Sequence, residues 1–228
     1  MSFNKKFFST GGIVAASGGA DFRDEAILHI DFENQITDQT GNYTTTNSGT
    51  TFSTDSKVGT YSGDFDPTSD KMEVLNFYLS DTAYAIAFWV KFHSLSTTNW
   101  EMVTTMTAGK DQSADRIFIG KRYNLQTIMF RSYVTGVEED VFTPSLNTWY
   151  HWVLNADSSG YKVYINNAST PTWSNSTSVS GLQSGTTTEA SIGGHYGGIN
   201  ESMDGKIDQF RVWDRILTAD ERTSLYNE

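Results

Sequence analysis

The sequence predicts an all-β protein built as a two-sheet antiparallel sandwich, with one short helix at its C-terminus and an extended N-terminal arm. Three observations predict it. Apolar and polar residues alternate in short runs bounded by turn-forming clusters, the period of half-buried strands. Aromatic residues make up 14% of the chain and charged residues only 19%, with Ser, Thr, Asn and Gly filling most of the rest. That is the usage of short strands joined by polar turns. The length of 228 residues suits one such domain, because sandwiches often exceed 200 residues without dividing.

In chain order, Lys5 and Lys6 precede a weakly apolar stretch ending in small residues, the outline of a signal peptide. Ser9-Thr10-Gly11-Gly12 interrupts the apolar core, so cleavage is not expected. Residues 1–22 are expected instead to form an anchoring arm, held on a partner or folded back on the domain, with the domain itself spanning 23–228. Ala26, Leu28, Ile30 and Phe32 share one face of an opening strand, and Asp38 to Asn42 reads as a turn. Residues 84–93 are apolar on both faces, which predicts a central strand. Further strands are expected at 116–121, 126–133, 149–156, 161–166 and 189–193, with Asp157 to Gly160 as a hairpin loop. Thr218 and Glu221 match a capping box, predicting a short final helix with Leu225 as its buried anchor.

Charge and composition exclude several functions. A formal net charge of -11 opposes nucleic-acid binding, which depends on Lys and Arg displacing counterions from phosphates. The absence of cysteine removes disulfides, thiolate metal sites and cysteine nucleophiles. The longest apolar run, Ala83 to Val90, is far short of the ~20 residues that cross a bilayer, so no membrane insertion is expected. The four histidines are scattered without zinc spacing, and no G-x-S-x-G elbow is present.

Several segments, in order, resemble the laminin-G-like and pentraxin-type domains of the concanavalin A-like lectin/glucanase superfamily over about residues 26–228. They are LHIDFEN at 28–34, YSGDFDPTSDKMEV at 61–74, AIAFWVKF at 85–92, WYHWVLNADSSGYKVYINN at 149–167 and SIGGHYGGINESMDGKIDQFRVWDRILTADERTSLY at 191–226. The resemblance implies jelly-roll topology with ligand loops along one rim. It also implies a catalytic Glu-x-Asp-x-x-Glu strand in the glucanases. The nearest match here is Glu138-Glu139-Asp140, where Thr143 stands at the final Glu position. Those acids are expected to be solvated side chains in a turn, and the chain is expected not to be an enzyme.

Alternation breaks between Ile207 and Phe210, which suggests a β-bulge beside Asp208. The resemblance implies that this Asp holds one structural calcium ion, with Asp31 a weaker candidate. The alternative is that Asp208 accepts backbone N–H bonds at the bulge. Pentraxin-like functional calcium is not expected: Asp70 falls at one ligand position, but Lys71 follows it and the loop at 194–198 lacks acids. Sugar recognition pairs a ring with a few polar groups. The candidate residues are Trp100, Trp173 and Tyr196, with His195 beside the last; Trp89, Trp149, Trp152 and Trp213 are assigned to strands and the core.

KKFFSTGGIVAA is similar to N-terminal segments of tailed-phage virion proteins. The expected function is therefore a non-catalytic structural or adhesive component of a viral particle. Residues 1–22 would dock on other virion proteins in a homo- or hetero-oligomeric assembly, and the jelly roll would be displayed outward with a host-surface glycan as ligand. The alternatives are a free carbohydrate-binding module, secreted or at the cell surface, and, third, a glycoside hydrolase.

Overall fold

In the computed structural model the described residues are 21–77, 79–80, 82–108, 116–179, 188–195 and 201–228. Most of the expected arm and Tyr196 lie outside them. The described elements are β1 (Leu28–Ile30), β2 (Thr44–Ser48), β3 (Thr51–Ser53), β4 (Ser62–Phe65), β5 (Lys71–Leu75), β6 (Tyr84–Phe92), β7 (Glu101–Ala108), β8 (Arg116–Lys121), β9 (Ile128–Ser132), β10 (Val137–Phe142), β11 (Trp149–Asp157), β12 (Gly160–Ile165), β13 (Trp173–Asn175), β14 (Thr188–Ile192), β15 (Gly205–Trp213) and α1 (Ala219–Tyr226).

One sheet runs β13-β12-β11-β6-β15-β4-β3 with β1 added to β15, and the other runs β10-β9-β8-β7-β14-β5-β2. Every strand ladder is antiparallel. This is the jelly-roll sandwich, and its order explains the sequence pattern. β6 lies between β11 and β15, so both of its faces are covered, as its two-sided apolar run predicts. The inner faces meet through Ile86, Phe88, Trp152, Leu154, Phe210 and Val212 on one side and Val74, Val103, Ile117, Ile119, Phe130 and Ile192 on the other. Phe88 stacks at 6.1 Å on Trp152 and 5.6 Å on Phe210, filling the middle of the core.

The outer face of the first sheet is closed by α1. Thr218 accepts the Glu221 N–H while the Glu221 carboxylate accepts the Thr218 N–H, completing the expected capping box. Leu225 and Leu217 pack on Ala85, Ala87, Val153 and Trp213, whose small or flat side chains leave room for a helix. The arm's root meets the same surface: Phe22 stacks on Trp213 at 6.4 Å, and its carbonyl accepts the Trp213 Nε1–H at 2.9 Å.

Two expectations need correction. Glu138, Glu139 and Asp140 are not in a turn. They sit in β10, paired with β9, where Val137 provides the buried anchor. Glu138 is held by Arg122 and Arg131, and Asp140 accepts from Thr127 at 2.8 Å. Trp149 is only partly buried, beneath the Lys91 ammonium at 5.8 Å. Trp89, Trp152 and Trp213 are buried.

Candidate functional site

Three connections converge on one rim: the β4–β5 turn, the β6–β7 loop and the segment leading into β15. Backbone bonds join the last of these to the ends of β6, β7 and β14, with Met102 N–H to the Glu201 carbonyl (3.0 Å), His93 N–H to the Asp204 carbonyl (2.9 Å) and Met203 N–H to the Gly193 carbonyl (2.9 Å). Gly193 has φ +79°, and a Cβ there would fall 2.0 Å from the Phe65 ring. The close approach of β14's end to β4 therefore requires glycine. At the other flank Asp70 accepts the Asp66 N–H at 3.0 Å and closes the turn on itself.

The rim encloses two adjoining clefts. The first, about 350 Å³, is lined by Thr51, Asp64, Phe65, Asp66, Asp70, His93 and Asp204. The second, about 320 Å³, is lined by Pro67, Thr68, Ser94, Ser96, Asn99, Glu101 and Ser202. Ser94 donates to Asp204, which ties the two together.

Glu101 decides the chemistry of the second cleft. It opens β7 opposite Lys121 of β8 and is 2% exposed. Its Oε1 accepts the Ser96 N–H at 2.8 Å, whereas its buried Oε2 has no hydrogen-bond partner. Burial raises its pKa, the Ser96 amide and Lys121 oppose that, and Asp204 adds repulsion. Lys121, itself buried, donates to the Ser96 carbonyl and is pushed down by burial. A buried carboxylate oxygen left without a donor is costly, so the site is suited to a ligand that supplies one.

The residues singled out in sequence are distributed unevenly. His195 is on the rim: it is 3% exposed, with Nδ1 3.6 Å from the Glu201 carboxylate. Trp100 adjoins the rim between Asn99 and Glu101 but packs on the second sheet's outer face, edge-on to Phe118 at 5.7 Å and 5.5 Å from Tyr123. Trp173 is elsewhere, on β13 at the edge of the first sheet, packed 5.8 Å from Phe130 as a loop anchor. Tyr196 lies outside the described residues. Sequence reasoning missed Glu101, Ser96, Asn99 and Ser202. Only the unusual placing of a charged residue at the head of an apolar strand pointed to Glu101.

The expected bulge is present: β15 pairs Asp208 with Trp89 but Arg211 with Ala87, one residue in excess, and Gln209 takes φ +51°. Asp208 is fully buried, and its Oδ2 accepts the N–H groups of Lys57 and Val58, both at 2.9 Å. Its Oδ1 has no partner. Burial raises its pKa to about 7 against the lowering effect of those amides, with repulsion from Glu33 adding to the rise. Asp31 Oδ1 accepts the Glu33 N–H at 3.1 Å. Oδ2 thus matches the amide-accepting alternative. Oδ1 is buried, the Gln209 backbone amide also favours the charged carboxylate, and no cluster of three or more His, Asp or Glu suited to a metal occurs among the described residues.

A family model described as Concanavalin A-like lectin/glucanases superfamily, Laminin_G_3, matches residues 66–221. The chain belongs to this laminin-G-like family. No curated protein matches it in sequence. Among solved structures, domain 4 of AbnA, an extracellular GH43 arabinanase of Geobacillus stearothermophilus, in complex with arabinotriose, is similar with a TM-score of 0.67 at 20% identity, covering 89% of this chain and 98% of that one. The botulinum neurotoxin serotype D ligand binding domain in complex with N-acetylneuraminic acid gives 0.67 at 17% identity, covering 90% of this chain and 51% of that one. The binding domain of Paraclostridial Mosquitocidal Protein 1 gives 0.70 at 15% identity, with 91% and 53% covered. This laminin-G-like chain spans about half the length of the two toxin domains and nearly all of the arabinanase domain. At these identities the likeness is one of fold.

Proposed function

We propose that the protein is a non-catalytic carbohydrate-binding module whose site is the paired rim cleft. The observation that carries this reading is the second cleft's lining: hydroxyls of Thr68, Ser94, Ser96 and Ser202, the Asn99 amide and the unpartnered Glu101 oxygen, in a pocket of saccharide size. The fold's occurrence in arabinotriose- and N-acetylneuraminic-acid-bound domains supports it. Non-catalysis is supported by β10, whose Glu138 and Asp140 are tied to arginines and threonine and whose Glu-x-Asp-x-x-Glu pattern ends in Thr143. A glycan array with the intact chain tests the reading; absence of binding to every saccharide, with the fold intact, refutes it.

Within this reading the module is an adhesive component of a viral particle, anchored through residues 1–22. The geometry favours display. The cleft lies where β15 begins, at Asp204, and the arm's root packs where β15 ends, at Trp213. Nine residue steps, one of them taken up by the bulge, place them about 25 Å apart at strand spacing. Anchoring at one end leaves the cleft facing away. Deleting residues 1–20 should abolish incorporation into the parent assembly, and unchanged incorporation refutes this role. The reading also includes one structural calcium ion at Asp208 Oδ1, supported by that oxygen's lack of a partner and by the Glu33 carboxylate nearby.

A further inference from the structure

We infer that the cleft admits saccharides without acidic groups and turns acidic ones away, an inference that rests on the carbohydrate-binding reading above. Four aspartates, Asp64, Asp66, Asp70 and Asp204, line the first cleft. Lys206 offsets Asp64 at 3.1 Å, and His93 approaches Asp204 at 3.6 Å. Asp66 and Asp70 have no Lys or Arg ion pair among the described residues. The second cleft adds Glu101, whose charge Lys121 partly offsets while donating to the Ser96 carbonyl. The excess charge facing a ligand is therefore negative, and it is concentrated in the first cleft at Asp66 and Asp70.

The second, independent observation is Glu101 Oε2, buried and unpartnered on a residue that lines the second cleft. A carboxylate oxygen accepts and does not donate. It is satisfied by a sugar hydroxyl or ammonium and opposed by a sugar carboxylate, which also meets the aspartate field. Like charges brought close at a protein surface repel, so a carboxylate on the ligand weakens binding in this cleft.

The test uses the intact chain on matched pairs: uncharged oligosaccharides, arabinotriose among them, their amino-sugar counterparts, and the same oligosaccharides capped with N-acetylneuraminic acid. The expected result is binding of non-acidic members with acidic members at least tenfold weaker at low ionic strength, a gap that narrows with salt and in Asp66→Asn. Glu101→Gln should weaken the uncharged ligand about tenfold. Because that variant disturbs a buried pair, the exposed Asn99→Ala serves as a second, fold-neutral probe of the same wall. Equal or tighter binding of the acidic members overturns the inference while leaving a carbohydrate-binding protein. Unchanged affinity in both wall variants also overturns it, and no saccharide binding overturns both readings.

Discussion

Asn155 holds Leu217 by both backbone groups: its Nδ2 donates to the Leu217 carbonyl at 2.7 Å and its Oδ1 accepts the Leu217 N–H at 3.0 Å. The amide is buried at the outer face of β11, and Leu217 immediately precedes the N-cap of α1. One side chain thereby fixes where the helix begins on the sheet. Asn155→Ala leaves two buried backbone groups short of partners, with only the weaker Arg222 contact to the carbonyl at 3.3 Å remaining. The expected loss is about 2–3 kcal/mol in urea unfolding. Asn155→Asp should recover the N–H bond and lose the carbonyl bond, falling between.

Asp208 couples the bulge of β15 to the 57–58 backbone. Asp208→Asn turns one acceptor into a donor facing N–H groups or, when flipped, keeps a weaker neutral acceptor. The expected loss is about 1–3 kcal/mol. The calcium proposal adds a separate outcome. Millimolar calcium should raise the Tm of the parent chain and leave that of Asp208→Asn unmoved; a parent Tm unaffected by calcium or by chelator assigns Asp208 to the amide clamp alone.

His151 governs part of the acid response. It is 2% exposed, packed 4.7 Å from Trp89 and 5.9 Å from Tyr226. Burial holds its pKa down at about 3, with Arg211 and Lys57 adding repulsion. An unfolded histidine titrates near 6.5. The unfolded state therefore takes up a proton first as pH falls, so the stabilising contribution is complete above about pH 6.5 and is lost toward pH 3. The expected loss is about 2 kcal/mol by pH 5. His29, also lowered by burial and by Arg211, works in the same direction. His151→Phe keeps the aromatic contact and should flatten the stability profile between pH 6.5 and 5; an unchanged slope would assign the acid response to other groups.

The fold was largely legible along the chain because strand alternation, turn chemistry and capping are local. β6, β8, β9, β11, β12, β14 and α1 occupy or nearly occupy their expected positions. The bulge beside Asp208 was legible because an extra residue breaks a period of two. β2, β3 and β13 were not, since Thr44 to Ser48, Thr51 to Ser53 and Trp173 to Asn175 are mostly polar edge segments whose strand character comes from the neighbours they pair with. β10 was not legible as a strand because its acids carry no apolar alternation: Glu139 and Asp140 are exposed as expected, and only the pairing with β9 makes the segment extended.

The sequence by itself determined an all-β sandwich, its opening and closing strands, its final helix and its excess of negative charge, all set by residues close along the chain. Only the tertiary structure decided where that charge gathers. Asp66, Glu101 and Asp204 are far apart in sequence and meet because three loops close on one rim. Whether Trp100 or Trp173 lines a cleft or packs on a sheet was likewise decided by the strands beneath them, since burial of a ring depends on neighbours that no local pattern specifies.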